Sequence, residues 1–425
     1  MIKKIENYFD RLFPLNRSIT GKGYQQSLKI ISELIPLKKI NFKSGKKIFD
    51  WKIPLEWNVE TAKIDDENGK NIINFKKNNL HVIGYSDKVD SLLTFKKLKK
   101  NLYFEKKSPN AIPYITSYYK KRWGFSLSYN QFKKLDKKIK YKVNIKSSFK
   151  KGNLTVGEFL LKGKSKKEII ISSYLCHPSM ANNELSGPLT LAFLYNRIKN
   201  RKLNYSIRFI ICPETIGAIA FLSKYKSKLK KQCIGGYQIT CCGLNSKVVY
   251  KKSRKEKSLI DLSMIESLKK YKHNFLEFFP FGSDERQYNS PGIDIPFGTF
   301  MRVNYDGYKE YHTSLDNKKI MNFNKFIENI DILENTILRI NKAKFYKRNV
   351  PLCEPFLSKR NLYSSLSNYT HFSKIDSIVE AIFWIMAYLD GNTSDIEIQK
   401  YSKIDKKVLD ASFNILKEKK LISLI

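Results

Sequence analysis

The chain has 425 residues, 42% of them hydrophobic, which is enough for two or three domains with substantial cores. Its formal charge of +40 would ordinarily suggest a polyanion partner, but lysine is spread along the whole chain among Ile, Asn, Tyr and Phe, so the charge reads as a solvated lysine coat. No apolar run approaches the ~20 residues of a membrane helix, and six cysteines without CxxC spacing read as free thiols.

The opening "MIKKIENYFDRLFPLNRS" has no uninterrupted apolar stretch of the kind a signal peptide needs, so a cytoplasmic location is expected. Residues 1 to about 40 read as helices, with Pro36 closing the "GYQQSLKIISELIPL" segment. From about 45 to 145 the texture becomes short alternating segments, broken by a turn at "ENGK", with "NLHVIGYS" as a further strand candidate. This block is expected to be a small β-rich module.

An α/β pattern follows. "EIIISSYL", "YSIRFIICPE", "CIGGYQITCCG" and "IDIPFGTFMR" read as buried strands, interleaved with helices at "PLTLAFLYNRIKN", "TIGAIAFLSKYKSKL" and "LIDLSMIESLKKY", and followed by one at "NFNKFIENIDILENTILRI". Strands alternating with helices imply a mostly parallel sheet covered on both faces. From about 365, "IDSIVEAIFWIMAYLDG", "TSDIEIQKYS" (capped by Thr393 or Ser394) and "DKKVLDASFNILKEKKLISLI" give three helices and a β-tail, the pattern of a winged helix. The expected division is an α/β domain from 1–45 and 146–350, an inserted β-rich domain at 46–145, and a winged helix at 360–425.

Active sites of open α/β sheets form beyond the carboxyl ends of the strands. "EIIISSYL" runs into Cys176-His177-Pro178, and "YSIRFIIC" runs into Pro213-Glu214-Thr215, so both polar groups belong on one rim. "GSDERQY" and "EYHTSLDN" lie in loops flanking the fourth strand. His177 and His312, with carboxylates on neighbouring loops, suggest a metal site, because imidazole and carboxylate are the usual ligands of catalytic zinc. Glu214 directly follows an apolar strand. It reads either as a carboxylate favoured by the following helix dipole or as a general base. His81, His273 and His371 are expected to be structural.

The order of His177, "NNELSG", Glu214, "SDERQYNSPGIDIP" and "YHTSLDN" resembles the zinc aminopeptidase superfamily, which includes bacterial leucyl aminopeptidases and glutaminyl cyclases. More closely, "LFPLNRSITGKG", "FDWKIPLEWNV", "NLHVIGYS", "AIPYITSYYKKRWGF" and "YLCHPSMANNELSGP" resemble a bacterial family of aminopeptidase-like proteins with an inserted small domain and a C-terminal winged helix, often associated with surface-polysaccharide gene clusters. The resemblance implies a zinc-aminopeptidase-like α/β fold. It matches His177 and His312 to the first and last metal histidines, and Glu214 to the general base. It also places Thr215, Asn183, Thr240 and Ser179 where the superfamily keeps carboxylates, and Glu285 where it keeps a histidine.

Two metal ions close together need several anionic ligands to offset their repulsion. One Zn²⁺ is therefore expected, held by His177, His312 and Glu184, with Asn183 or Asp284 as alternative ligands; Glu184 is also read as a helix cap. Asp284 is alternatively a partner of a histidine, and Arg286 would neutralise a substrate carboxylate or an oxyanion, or pair with Asp284. The expected function is metal-dependent hydrolysis of an amide or peptide-type bond in a small-molecule or peptide-like substrate. The rival reading is a degraded peptidase scaffold that acts by binding, through its winged helix. Nucleic acid is disfavoured as a partner, since "DIEIQKYSKIDKKVLDASFNILKEKKLI" carries acidic residues and no arginine. A membrane is not expected, and self-association stays open.

Overall fold

The structure is a computed structural model that describes residues 1–305, 307–362 and 377–425. At its centre are eight strands: β1 (Lys38–Lys43), β2 (Asn153–Leu161), β3 (Glu168–Tyr174), β4 (Ser206–Cys212), β5 (Cys233–Ile239), β6 (Val248–Lys251), β7 (His273–Leu276) and β8 (Phe297–Met301). They lie in the order β1-β2-β4-β3-β5-β8-β6-β7. β4, β3, β5 and β8 form a parallel centre. β1 and β2 run antiparallel on one side, and β6 is antiparallel to β8 on the other.

All seven residues of β3 and all seven of β4 are buried. The reason is the period of two along a strand whose two faces are both covered. Ile169 and Ile171 of β3 point into a core with helices α1 (Ile2–Leu12), α2 (Lys22–Ser32), α3 (Ser186–Ile198), α5 (Leu259–Leu268) and α6 (Asn324–Ile340). Ile170 points the other way, into a core with α4 (Ile216–Gln232). The four buried strands and their helices agree with the expectation from sequence. β6 and β7, four residues each, were not anticipated.

The inserted segment forms a four-stranded antiparallel sheet in the order Asn71–Asn74, Glu56–Asp66, Lys140–Lys150 and Val89–Thr94. It has its own core around Ile64, Phe125 and Val143. "NLHVIGYS" is not a strand. Asn78 accepts the Leu80 N–H and caps a single 3₁₀ turn over Asn79–His81, after which the chain makes only isolated bridges.

At the other end, helices Ser377–Tyr388, Asp395–Ser402 and Lys406–Glu418 combine with strands Phe345–Arg348, Asp390–Ser394 and Ile422–Leu424 in a winged-helix arrangement. Ser394 is the N-cap, and it closes a capping box with Glu397. Phe345–Arg348, read from sequence as part of the α/β domain, pairs with both wing strands. Glu397 also accepts the Leu259 N–H at the start of α5, which fastens the winged helix to the core. No helix among the described residues is long and apolar enough to cross a membrane.

Candidate active site

Because β3, β4, β5 and β8 are parallel, the loops after them share one rim. β3 delivers Cys176 and His177, β4 delivers Glu214 and Thr215, β5 delivers Thr240 and Cys241, and the loop after β8 carries Tyr305, Tyr311 and His312. Four residues on this rim, Ser179, Thr215, Cys241 and His312, have positive φ without being glycine. Thr215 is the most unusual, since a β-branched side chain at φ 63°, ψ −73° is strained.

His177 is held from behind. Its Nδ1 lies 2.7 Å from Glu184 Oε2, and its backbone N–H donates to Glu184 Oε1 at 2.9 Å. Arg17 Nε donates to the His177 carbonyl at 2.9 Å. Burial opposes charging the imidazole, but the charge and hydrogen bond of Glu184, joined by the charge of Glu214, raise its pKa above the ordinary value. Glu184 sits in a π-helical turn, Ala181–Leu185, which leads into α3. Both Glu184 oxygens are occupied by His177. In this geometry Glu184 supports His177, as carboxylates commonly support ligating histidines, and Cys176, His177 and Glu184 also place potential ligand atoms within 4.8 Å of one another. Gly187 closes the same turn: a Cβ there would stand 2.3 Å from both the Ile239 carbonyl and Ser173 Oγ.

The Nε2 of His177 faces Glu214, whose Oε2 is 3.7 Å away. The other Glu214 oxygen accepts the Ser283 hydroxyl at 2.6 Å. Burial raises the Glu214 pKa, while His177 and Ser283 act to lower it. Ser283 is itself anchored: its N–H donates to the fully buried Glu285, which pairs with Lys251 Nζ at 2.7 Å. Lys251 also donates to the carbonyls of Phe279 and Phe281. Glu285, in the place where the resembled superfamily has histidine, is thus half of a buried ion pair that fixes the loop presenting Ser283.

Asp284 lies beneath the rim. One oxygen accepts the Thr215 N–H at 2.6 Å, and the other faces Cys212 Sγ at 3.7 Å. Burial, and the charge of Glu214, raise its pKa well above the carboxylate range. Arg286 donates to Thr215 Oγ1 at 3.3 Å, and its Nε is buried without a partner. Asp284 and Arg286 therefore both hold the strained Thr215 turn, rather than pairing with a histidine or with each other.

Asn183 is buried, its Nδ2 donating to the Tyr174 hydroxyl at 3.1 Å, with its Oδ1 unpartnered. Thr240 Oγ1 shares a 2.5 Å contact with the same tyrosine hydroxyl and donates to the Asn183 carbonyl at 3.1 Å. At Asn183, Thr215 and Thr240 this rim therefore presents an amide and two hydroxyls.

His312 comes from the far side. Its ring centroid is 5.2 Å from that of His177, and its ring stacks on Tyr311 at 3.9 Å. Burial, then the neighbouring His177 charge, lower its pKa to about 3, so it is neutral. The inserted segment reaches over to hold it. Tyr114 N–H donates to the His312 carbonyl at 2.8 Å, Ile112 N–H donates to Ser314 Oγ, and the Tyr114 ring packs against both histidines.

Sequence reasoning missed Tyr114, although it lies in the quoted "AIPYITSYY". It also missed Asp316, whose carboxylate accepts the N–H groups of Asn182 and Asn183 at 2.7 and 2.9 Å and so fixes the loop carrying Glu184. Arg17, Ser283 and Lys251 were missed as well; only the fold brings them to the rim. His81 and His273 have structural surroundings: their Nδ1 atoms face the carbonyls of Ser126 and Tyr271. His371 lies outside the described residues.

The comparisons with known proteins agree with this architecture. The family described as "domain of unknown function (DUF4910)" matches residues 6–343, and a "winged helix-turn-helix" family matches residues 344–424. A Clostridium acetobutylicum protein, named for polysaccharide biosynthesis and an aminopeptidase-like domain, is 37% identical over 99% of this chain and 96% of its own. A crystal structure of a protein from the same species, named as a peptidase, superposes with a TM-score of 0.80 at 37% identity, covering 100% of this chain and 96% of its own. A zinc aminopeptidase of Bacillus subtilis shares the fold at a TM-score of 0.56 and 11% identity, over 78% of this chain and 94% of its own. The aminopeptidase of Aneurinibacillus sp. strain AM-1 does so at 0.52 and 13%, over 80% and 94%. The chain belongs to the DUF4910 family: it is an aminopeptidase-like α/β protein with a C-terminal winged helix.

Proposed function

We propose that the protein is a metal-dependent hydrolase of an amide or peptide-type bond, working with a single zinc ion. The observation that carries this reading is the Glu214 carboxylate 3.7 Å from His177 Nε2, with the other carboxylate oxygen fixed by Ser283. The residue types of the donor set suit one ion. Glu184 occupies Nδ1 of His177 and leaves Nε2 for the site. His312 is neutral, and the buried Asn183 Oδ1 has no other partner. His177, His312 and Asn183 would hold the metal. Two imidazoles and one oxygen suit mononuclear zinc, whereas the amide of Asn183 and the hydroxyls of Thr215 and Thr240 do not offset the charge of a second ion.

Bound zinc supplies a Lewis acid and a water of lowered pKa. Glu214 takes the proton of the attacking water at Oε2 and returns it to the leaving nitrogen. Its burial raises its proton affinity, the direction that favours a general base and acid. The aromatic rings of Tyr114 and Tyr311 limit water around the histidines. The Clostridium relative's name, for polysaccharide biosynthesis, supports a role in that metabolism; in this reading the scissile amide lies on a sugar or a sugar-linked amino acid.

The winged helix acts in this reading as a packing module. Lys406, Leu409, Asp410 and Phe413 of its last helix line a cleft shared with α5 and α6, which favours a role against the core over one in a DNA groove. The test is hydrolysis of N-acylated amino sugars and aminoacyl anilides by the full chain. Activity should vanish with chelator and return with Zn²⁺, and Glu214→Gln should keep metal but lose turnover. Turnover that survives in Glu214→Gln would overturn the assignment.

A further inference from the structure

We infer that the cleft between the α/β core and the winged helix is a binding site for a small phosphate-bearing ligand, with Lys167 as its innermost cation. The cleft encloses about 900 Å³, the size of a small-molecule pocket. Seven of its seventeen lining residues are lysines, among them Lys164, Lys166, Lys167, Lys344 and Lys347, and its acidic side chain is Asp390 alone. Asp390 is already engaged, accepting the N–H groups of Asn392 and Thr393 at 2.7 Å each. No ion pair among the described residues uses any of these seven lysines.

Lys167 separates this cleft from the general lysine coat. It is 8% exposed, and its ammonium has one hydrogen bond, to Asn392 Oδ1 at 3.4 Å, beside a cation–π contact with Phe345 at 4.4 Å. Burying an ammonium with one long hydrogen bond, and with the charges of Asp390 and Glu397 acting on it without an ion pair, is costly unless an anion completes its shell. The same desolvation lowers its pKa. Exposed lysines elsewhere on the chain carry no such cost, because water solvates them. The cleft is built from both the core and the wing, since Lys164, Lys166 and Lys167 precede β3 while Lys344 and Lys347 flank or lie on the Phe345–Arg348 strand. A bound anion would therefore also brace the two parts against each other.

The experiment is calorimetric titration of the full chain with inorganic phosphate and with diphosphate, at ionic strength held constant with sodium chloride. Saturable binding is expected. Lys167→Met should weaken it about tenfold, the loss of one charge-assisted contact. The exposed double variant Lys164→Ser/Lys347→Ser, which leaves the packed interior untouched, should weaken it comparably. Lys96→Ser/Lys97→Ser, on the inserted module, should leave it unchanged. Equal weakening by that control pair, binding of duplex DNA without binding of either phosphate probe, or no saturation in wild type would each overturn the proposal.

Discussion

Glu184 grips His177 at two points, the backbone N–H at 2.9 Å and Nδ1 at 2.7 Å, with no exposure of the carboxylate to solvent. The pairing fixes both the position of the ring and the nitrogen it presents to Glu214. Glu184→Gln offers an amide where Nδ1–H needs an acceptor, and so loosens the tautomer. Metal affinity is expected to fall about 10–100-fold, the usual effect of losing a supporting carboxylate. Competition titration against a zinc chelator checks this. An affinity unchanged from wild type would show that Glu184 is only a helix-entry residue.

Burial raises the proton affinity of Glu214, the charge of His177 lowers it, and Ser283 lowers it further. Its hydroxyl bond at 2.6 Å favours the ionised carboxylate, so Ser283→Ala raises the Glu214 pKa further. A base with a raised pKa is lost earlier on acidification. The acidic limb of the pH–rate profile should therefore move to higher pH, with the folded protein intact by circular dichroism. An unmoved limb would show that another group governs it.

Lys251 and Glu285 should behave as one unit. Lys251→Met leaves a fully buried carboxylate unpaired, and a loss of about 3–5 kcal/mol is expected in denaturant unfolding. Glu285→Leu combined with Lys251→Met removes both charges and should recover part of that loss. A double variant no more stable than the single one would contradict the pairing.

How far the sequence could be read follows from which interactions are local. The runs "EIIISSYL" and "YSIRFIIC" announce buried parallel strands by themselves, and the parallel arrangement then puts His177 and Glu214 on one rim. His312 was legible from its place in a loop flanking the fourth strand and from the resemblance of its "YHTSLDN" motif. The orientation of Glu184 was not, because it depends on one π-helical turn that no residue pattern marks. Tyr114 meets His312 across nearly two hundred residues, through a bridge between Pro113 and Thr313. β6 and β7 are four-residue strands set among lysines, too short for a period to show.

His81 offers a pH test of stability remote from the rim. Burial lowers its pKa below the ordinary 6.5, and its Nδ1 faces the Ser126 carbonyl at 2.8 Å. Below about pH 6.5 the unfolded chain binds a proton that the folded site resists, so stability falls as pH drops through that value. Relative to wild type, His81→Gln should lose less stability between pH 7 and 5 in urea unfolding. Parallel losses would mean that His81 is protonated in the folded protein.

The central claim is one metal ion at a rim that carries Asn183, Thr215 and Thr240. Elemental mass spectrometry of the full chain, equilibrated with Zn²⁺ and freed of loose metal by gel filtration, measures it directly. The account predicts one zinc per chain, lost in the His177→Ala/His312→Ala variant. Two zinc ions per chain, none, or a single ion that survives removal of both histidines would contradict it.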